Sequence, residues 1–235
     1  MSLKKLFSCA LLALHALDVI ASPVDKTAGD LMRTPAGLVP RSNVHAVPKG
    51  AQVHQTPTEI QVIGSNGIIL HSVPYDKSPK ATVNPLRRPT NGSFANPRAL
   101  PDGYVAYAYW HNPSSSVISD FVTVWTVPPV PSNVDGQLLY WFNALIPPSD
   151  DAILQPVLQF GVSPAGGGPY YSIASWYVLQ GHAYFSELVE NVAPGQELAG
   201  YMILANTMTS GSTTQIRVGG VFWWISRYNP YYGDN

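Results

Sequence analysis

Two neighbouring runs of the sequence, 153–161 and 170–178, carry amide, hydroxyl and phenol groups at alternating positions. Residues two apart in a β-strand share a face, so each run would present these groups on one side. If the two strands are neighbours, one polar surface results, formed by Gln155, Gln159, Tyr171, Ser175 and Tyr177. Aromatic faces beside amides are suited to stacking on sugar rings and bonding to hydroxyls. We therefore expect these five residues to line a ligand-binding groove.

A carboxylate on the following run is the candidate for acid or base chemistry. Ala183, Phe185 and Glu187 share a face by the same alternation, which makes Glu187 a candidate catalytic acid, although one acid on a strand is more often solvated. Asp150 and Asp151 could contribute to a calcium site, but two adjacent acids usually form only a polar turn. No His/Asp cluster has the spacing of metal ligands. We expect neither a metal site nor a cofactor.

The elements that must position these groups are strands. From residue 104 onward, apolar and aromatic runs recur every ten to fourteen residues, separated by Pro, Gly, Asn, Asp and Ser. This rhythm is typical of an all-β sandwich or barrel. The predicted strands are Tyr104–Trp110, Val117–Val127, Gln137–Ile146, Ala152–Val162, Tyr170–Leu179, His182–Val189, Gln196–Asn206 and Thr214–Ile225. We assign 101–235 to one β-sandwich domain.

The N-terminal part has a different texture. Residues 1–22 combine Lys4 and Lys5 with a short apolar run and small residues at the end, which predicts a secretory signal peptide and an extracellular protein. Residues 23–100 are basic and rich in proline, so we expect a largely irregular pro-segment or linker. Within it, 59–73 predicts a β-hairpin around the turn residues Asn66 and Gly67.

Charge is distributed unevenly along the chain. Residues 23–98 hold nine basic and four acidic side chains, whereas 99–235 hold two basic and nine acidic ones. Attraction between the two parts would weaken when carboxylates become protonated, as in an acid-activated zymogen. The overall net charge of −1 does not favour nucleic-acid binding, and no run is long enough for a membrane span. Asn91 begins an Asn-Gly-Ser glycosylation acceptor.

Motifs within about 120–205 resemble those of eqolisins, the secreted glutamic peptidases of fungi. Leu158-Gln159-Phe160-Gly161 is similar to the family segment that carries the catalytic glutamine. Ser175-Trp176-Tyr177 is similar to the segment that carries the catalytic glutamate, with serine at the glutamate position. The motifs at 125–128, 155–161 and 174–178 resemble still more closely a group of related secreted fungal and bacterial proteins. The resemblance implies a concanavalin A-like antiparallel β-sandwich behind a propeptide.

The serine at the glutamate position decides the functional expectation. In the family the glutamate is the general base and the glutamine amide stabilises the oxyanion, and a serine hydroxyl cannot act as that base. We therefore expect a non-catalytic, monomeric protein that binds an extracellular polymer such as carbohydrate. The alternative is an acid-active peptidase that uses Gln159 with another acid, such as Glu187, on a protein substrate.

Overall fold

The computed structural model describes residues 30–75, 105–106, 108–210 and 213–224, and within them the chain is all-β. The predicted signal peptide and Asn91 lie outside these residues. No α-helix occurs in the described ranges, and the strands form several mostly antiparallel sheets, which confirms the all-β fold class. The strands are β1 (Leu31–Thr34), β2 (Gly37–Pro40), β3 (Val44–Val47), β4 (Gln52–Gln55), β5 (Glu59–Ile63), β6 (Ile69–Pro74), β7 (Asp120–Thr126), β8 (Leu139–Phe142), β9 (Ala152–Ser163), β10 (Gly166–Leu179), β11 (His182–Ser186), β12 (Val189–Val192), β13 (Glu197–Ser210) and β14 (Thr213–Trp224).

The main sheet contains six strands in the order β3-β11-β10-β9-β8, with β12 also paired to β10. Its centre is the long antiparallel hairpin of β9 and β10, in which Gly166 and Gly167 adopt positive φ at the turn. A second sheet has the order β14-β13-β7. Of the strands expected after residue 104, the one at Tyr104–Trp110 is wrong, because the described residues of that stretch are not in a strand.

The two faces of the β9–β10 hairpin are both buried, but by different parts of the chain. On one face, here called the inter-sheet face, Leu158 and Ile173 pack in a cluster with Leu198 of β13. On the other face, Val157 and Trp176 pack in a cluster with Val39 of β2. We call this second side the hairpin-covered face, because the β1–β2 hairpin contributes to its burial. Both strands read as near-continuous buried runs, as expected for strands covered on two sides.

Residues 31–74 are largely regular, which corrects the expectation of an irregular segment. Six strands form there, because the prolines fall at positions where a missing N–H does no harm. Pro35 lies in the β1–β2 turn, Pro40 and Pro74 end strands, and Pro48 and Pro57 lie between strands. The high proline content therefore delimits short strands here instead of preventing them.

The N-terminal strands attach to the rest of the chain in two further ways. β3 extends the main sheet by pairing in parallel with β11, with Tyr184 opposite His45. β4, β5 and β6 form a separate three-stranded sheet, in which β5 and β6 pair around the Asn66-Gly67 turn. Gly67 has φ 78°, and the Ile68 amide donates to the Asn66 side chain at 3.1 Å, as an Asx turn requires.

The three-stranded sheet buries one of its faces. Ile60 and Val62 of β5 are almost fully buried, in a cluster with Leu179 and Tyr184 of the main sheet. Burying an aliphatic side chain of this size contributes about 1.5–3 kcal/mol. The β5–β6 hairpin thus packs against the main sheet, whereas an isolated hairpin is only marginally stable in water.

Candidate functional site

The register of β9 and β10 divides the five residues expected to share one groove. Gln159 lies opposite Ser172, and Gln155 lies opposite Trp176. Directly opposed residues of an antiparallel pair project from the same face. The two glutamines therefore project from the hairpin-covered face, together with Ser172 and Trp176.

The other three groove candidates project from the inter-sheet face. In β10, Tyr171, Ser175 and Tyr177 lie opposite Phe160, Pro156 and Leu154, respectively. The expectation of a single glutamine, serine and tyrosine surface is therefore wrong. Its physical reason is the pairing register, which opposes even-numbered positions of one strand to odd-numbered positions of the other.

Gln159 is fully buried and holds the β9–β10 turn together. Its Nε2 donates to the carbonyl oxygens of Gly161 at 3.2 Å and Gly166 at 3.0 Å, and its Oε1 accepts from the Ser163 hydroxyl at 2.9 Å. Gly167, with φ 102°, leaves room for this arrangement, since a Cβ there would lie 2.5 Å from Gln159 Nε2. Both ends of the amide are thus committed to the fold.

Gln155 is buried to the same extent as Gln159, but its amide is not hydrogen-bonded. Neither its Oε1 nor its Nε2 has a hydrogen-bond partner among the described residues, and the same is true of Trp176 Nε1 across the strand pair. Ser172 Oγ, which lies on the same face four residues before Trp176, also has none. An unsatisfied buried polar group costs about 1–3 kcal/mol, so this concentration on one face is energetically expensive.

Aromatic rings flank the Gln155–Trp176 pair. The Trp176 ring lies 5.1 Å from the Phe185 ring and meets the Tyr140 ring edge-on at 6.5 Å, measured between centroids. The Tyr140 hydroxyl donates to the Arg33 carbonyl oxygen of β1 at 3.1 Å. Burial raises the pKa of Tyr140 above its ordinary value, so this phenol remains a neutral hydrogen-bond donor.

The β1–β2 hairpin limits access to this group of residues. Val39 is only 6% exposed and belongs to the same cluster as Val157 and Trp176, and Ala36 packs against that cluster. Thr34, Pro35 and Val39 of this hairpin are buried, whereas Leu38 is exposed. The hydrogen bond from Tyr140 to the Arg33 carbonyl oxygen adds to the contact.

The remaining candidates have structural partners or lie in solvent. The Tyr171 hydroxyl donates to the Pro129 carbonyl oxygen at 3.0 Å, and burial raises the pKa of Tyr177. The Ser175 amide donates to the Ser186 hydroxyl at 2.9 Å, and that hydroxyl donates to the Glu187 carbonyl oxygen at 3.2 Å. Glu187 itself is exposed immediately after β11.

Sequence reasoning did not group Ser172 and Trp176 with the glutamines, and it did not assign the cover to 31–40. Both features depend on contacts between residues far apart in the sequence. The alternation of side chains within β9 and within β10 follows from the sequence. Which face of β10 lies beside which face of β9 depends on the pairing register, which includes an irregularity between Gly168 and Tyr171.

Comparisons with protein-family models, curated proteins and solved structures give no match to this chain. In the described part of the chain, no helix has the length and apolar character needed to cross a membrane. The same residues contain no group of three or more histidine, cysteine, aspartate or glutamate side chains arranged to hold a metal ion.

Proposed function

We propose that the chain is a secreted, concanavalin A-like β-sandwich protein that binds an extracellular polymer, such as a polysaccharide, without cleaving it. The binding surface would be the hairpin-covered face around Gln155 and Trp176. The β1–β2 hairpin would have to move aside for the polymer to reach it. This differs from the groove expected from the sequence, because only the two glutamines of that group lie on this face.

The unsatisfied polar atoms of Gln155 and Trp176 are the observation that carries the proposal. The Gln155 amide and the Trp176 indole, whose ring lies between two other aromatic rings, offer three N–H donors and one acceptor oxygen to a ligand. Sugar hydroxyls can both donate and accept, and a sugar ring can stack on an aromatic face. Binding would thus give partners to groups that are otherwise buried at a cost of about 1–3 kcal/mol each.

Three positions favour binding over eqolisin-type catalysis. Gln159, the residue matched to the catalytic glutamine, already uses its amide for the β9–β10 turn. Ser175, matched to the glutamate, projects from the opposite face of the sheet. Glu187, the other acid considered, is exposed beyond the end of β11. None of these candidates therefore places a general base beside the glutamine amide. The acid-active peptidase is kept as the alternative function.

The proposal can be tested by pull-down on insoluble chitin, cellulose and β-1,3-glucan. Val39→Asp places a charge in the contact between hairpin and sheet, so the full-length variant should bind at least one polymer more tightly than the wild type. Adding Gln155→Met should abolish the gain. Val162→Asp is the matched control, because Val162 is 69% exposed on β9, and it should leave binding at the wild-type level.

Two outcomes would contradict the proposal. One is a folded Val39→Asp variant, checked by circular dichroism, that binds none of the polymers. The other is undiminished binding after Gln155→Met is added. Cleavage of a denatured protein by the wild type between pH 3 and pH 7, lost in Gln159→Ala, would favour the peptidase alternative.

A further inference from the structure

Three histidines from three different strands meet at the contact between the N-terminal strands and the main sheet. His45 Nε2 of β3 lies 3.1 Å from His182 Nδ1 of β11, within hydrogen-bonding distance. The His45 ring lies 4.5 Å from the His71 ring of β6 and 5.4 Å from the His182 ring, measured between centroids. The Tyr184 ring stacks on His45 at 5.0 Å. Two of the three histidines thus belong to the N-terminal strands β3 and β6, and the third belongs to β11.

The surroundings of the cluster offer little to neutralise positive charge. β11 contributes His182 and Tyr184, and β6 contributes His71. From β5, Val62 is the residue paired with His71, whereas Glu59 has the parity of the opposite face and accepts from Gln61. No carboxylate is among the causes that shift the pKa of His45 or His182.

The titratable groups beyond the histidine cluster surround Tyr177 of β10. They are Tyr75, Asp151 and Tyr184. Asp151 acts on that phenol, two strands away from β3. Burial, followed by the charges of His71 and His182, lowers the pKa of His45 to about 4. Burial, followed by the charge of His71, also lowers the pKa of His182.

The hydrogen bond between His45 and His182 depends on protonation. It requires one nitrogen that carries a proton and one that accepts it. A single imidazolium can still donate to its neutral neighbour, but two imidazoliums each carry a proton on both nitrogens and repel. Acid therefore converts the hydrogen bond into repulsion. The His71 ring packs against this pair, 4.5 Å from the His45 ring between centroids.

We infer that His45, His71 and His182 form an acid-sensitive contact that holds β3 and the β4–β6 sheet on the main sheet near neutral pH and releases them in acid. Only Arg41–Asn43 separates β2 from β3, so release of β3 would also loosen the hairpin over Gln155 and Trp176. This consequence, unlike the release itself, rests on the proposed function. Acidification would then be the signal that uncovers the polymer-binding face.

The direction with pH follows from the lowered histidine pKa values. The docked state binds fewer protons than the released state, whose histidines titrate near 6.5. Docking is therefore fully favoured above about pH 6.5 and is lost progressively as the pH falls toward 4. Because His45 and His182 are only half-buried and His71 is exposed, solvent screens the effect, and we expect a change on the order of tenfold in the docking equilibrium.

Hydrogen exchange of the full-length protein between pH 7.5 and pH 4, corrected for intrinsic exchange rates, tests the inference without any ligand. Protection of Val44–Val47 and of β5 should fall by about tenfold or more below pH 6.5, while that of Leu158 in β9 stays constant. His45→Gln and His182→Gln should each remove most of this dependence, since glutamine hydrogen-bonds without titrating. His111→Gln, at an exposed position outside the cluster, should behave as the wild type.

The variants separate the histidines from carboxylates that titrate in the same range. A fall in protection that persists unchanged in both cluster variants, or its absence in the wild type, would overturn the inference. If either variant does not fold, His71→Gln provides the same test, because only its ring contact to His45 is described. Acid release without polymer binding by Val39→Asp would leave this inference standing and remove the proposed function.

Discussion

Gln155 and Trp176 lie directly opposite each other on β9 and β10, both fully buried, and their side-chain polar atoms have no hydrogen-bond partner among the described residues. Four positions further along β9, Gln159 is buried to the same extent and has three hydrogen bonds. One strand face therefore holds two glutamines in opposite energetic states. A residue kept in an unfavourable state suggests a use other than stability, and this contrast can be measured directly.

Replacing Gln155 by methionine should stabilise the protein. Methionine has nearly the shape of glutamine but no amide, so the substitution removes two unsatisfied polar atoms without opening a cavity. We expect the free energy of unfolding at pH 7 to rise by about 1–2 kcal/mol in urea denaturation. A loss of stability above about 1 kcal/mol would show that the amide has partners in solution.

The same substitution at Gln159 should destabilise the protein. Gln159→Met removes three hydrogen bonds and leaves the Gly161 and Gly166 carbonyl oxygens with fewer donors. We expect the free energy of unfolding to fall by about 2–4 kcal/mol. Since residue type, strand face and burial match those of Gln155, the pair isolates hydrogen bonding as the cause. Equal effects at both positions would refute this explanation.

A Cβ at Gly167 should disrupt the β9–β10 turn. Gly167 has φ 102°, and an added Cβ would lie 2.5 Å from both Gln159 Nε2 and the Gly161 carbonyl oxygen. Gly167→Ala should therefore lower the midpoint of thermal unfolding, with a stability loss of about 3 kcal/mol or more from strain and overpacking together. Gly136→Ala is the control, because φ is also positive there (85°) but nothing lies within 4 Å of the added Cβ. Similar losses of stability in both variants would mean that backbone strain alone causes the effect, without overpacking against Gln159.

These elements differ in how far the sequence could predict them. The hairpin around Asn66 and Gly67 was predictable because turn chemistry is local. β9 was predictable because Ile153–Gly161 is apolar apart from its two glutamines and lies between turn signals. The division of the five groove candidates between two faces was not predictable. It depends on which residue of β10 opposes which residue of β9, and a shift of one position exchanges the faces.

The cover over Gln155 and the histidine cluster were hidden for a similar reason. β3 pairs with β11, and His45 meets His182 across 137 positions of sequence. A short strand such as Val44–Val47 can pair with any free edge, and its own pattern does not choose between them. The prolines around it mark chain breaks, but they do not exclude short strands between those breaks.

Introducing a glutamate at residue 175, which the sequence resemblance would align with the eqolisin catalytic acid, should not create a peptidase. Ser175 projects from the inter-sheet face and opposes Pro156, whereas Gln159 projects from the hairpin-covered face. A carboxylate at residue 175 would thus have the sheet between itself and the glutamine amide, and the two could not act on one water molecule. Ser175→Glu should show no cleavage of denatured protein between pH 3 and pH 5 beyond that of the wild type.

Ser172→Glu is the matched comparison, because Ser172 lies directly opposite Gln159 on the same face, so a carboxylate there is on the correct side of the sheet. Acid-dependent cleavage by folded Ser175→Glu, and not by Ser172→Glu, would mean that the register of β9 and β10 in solution differs from the one described here.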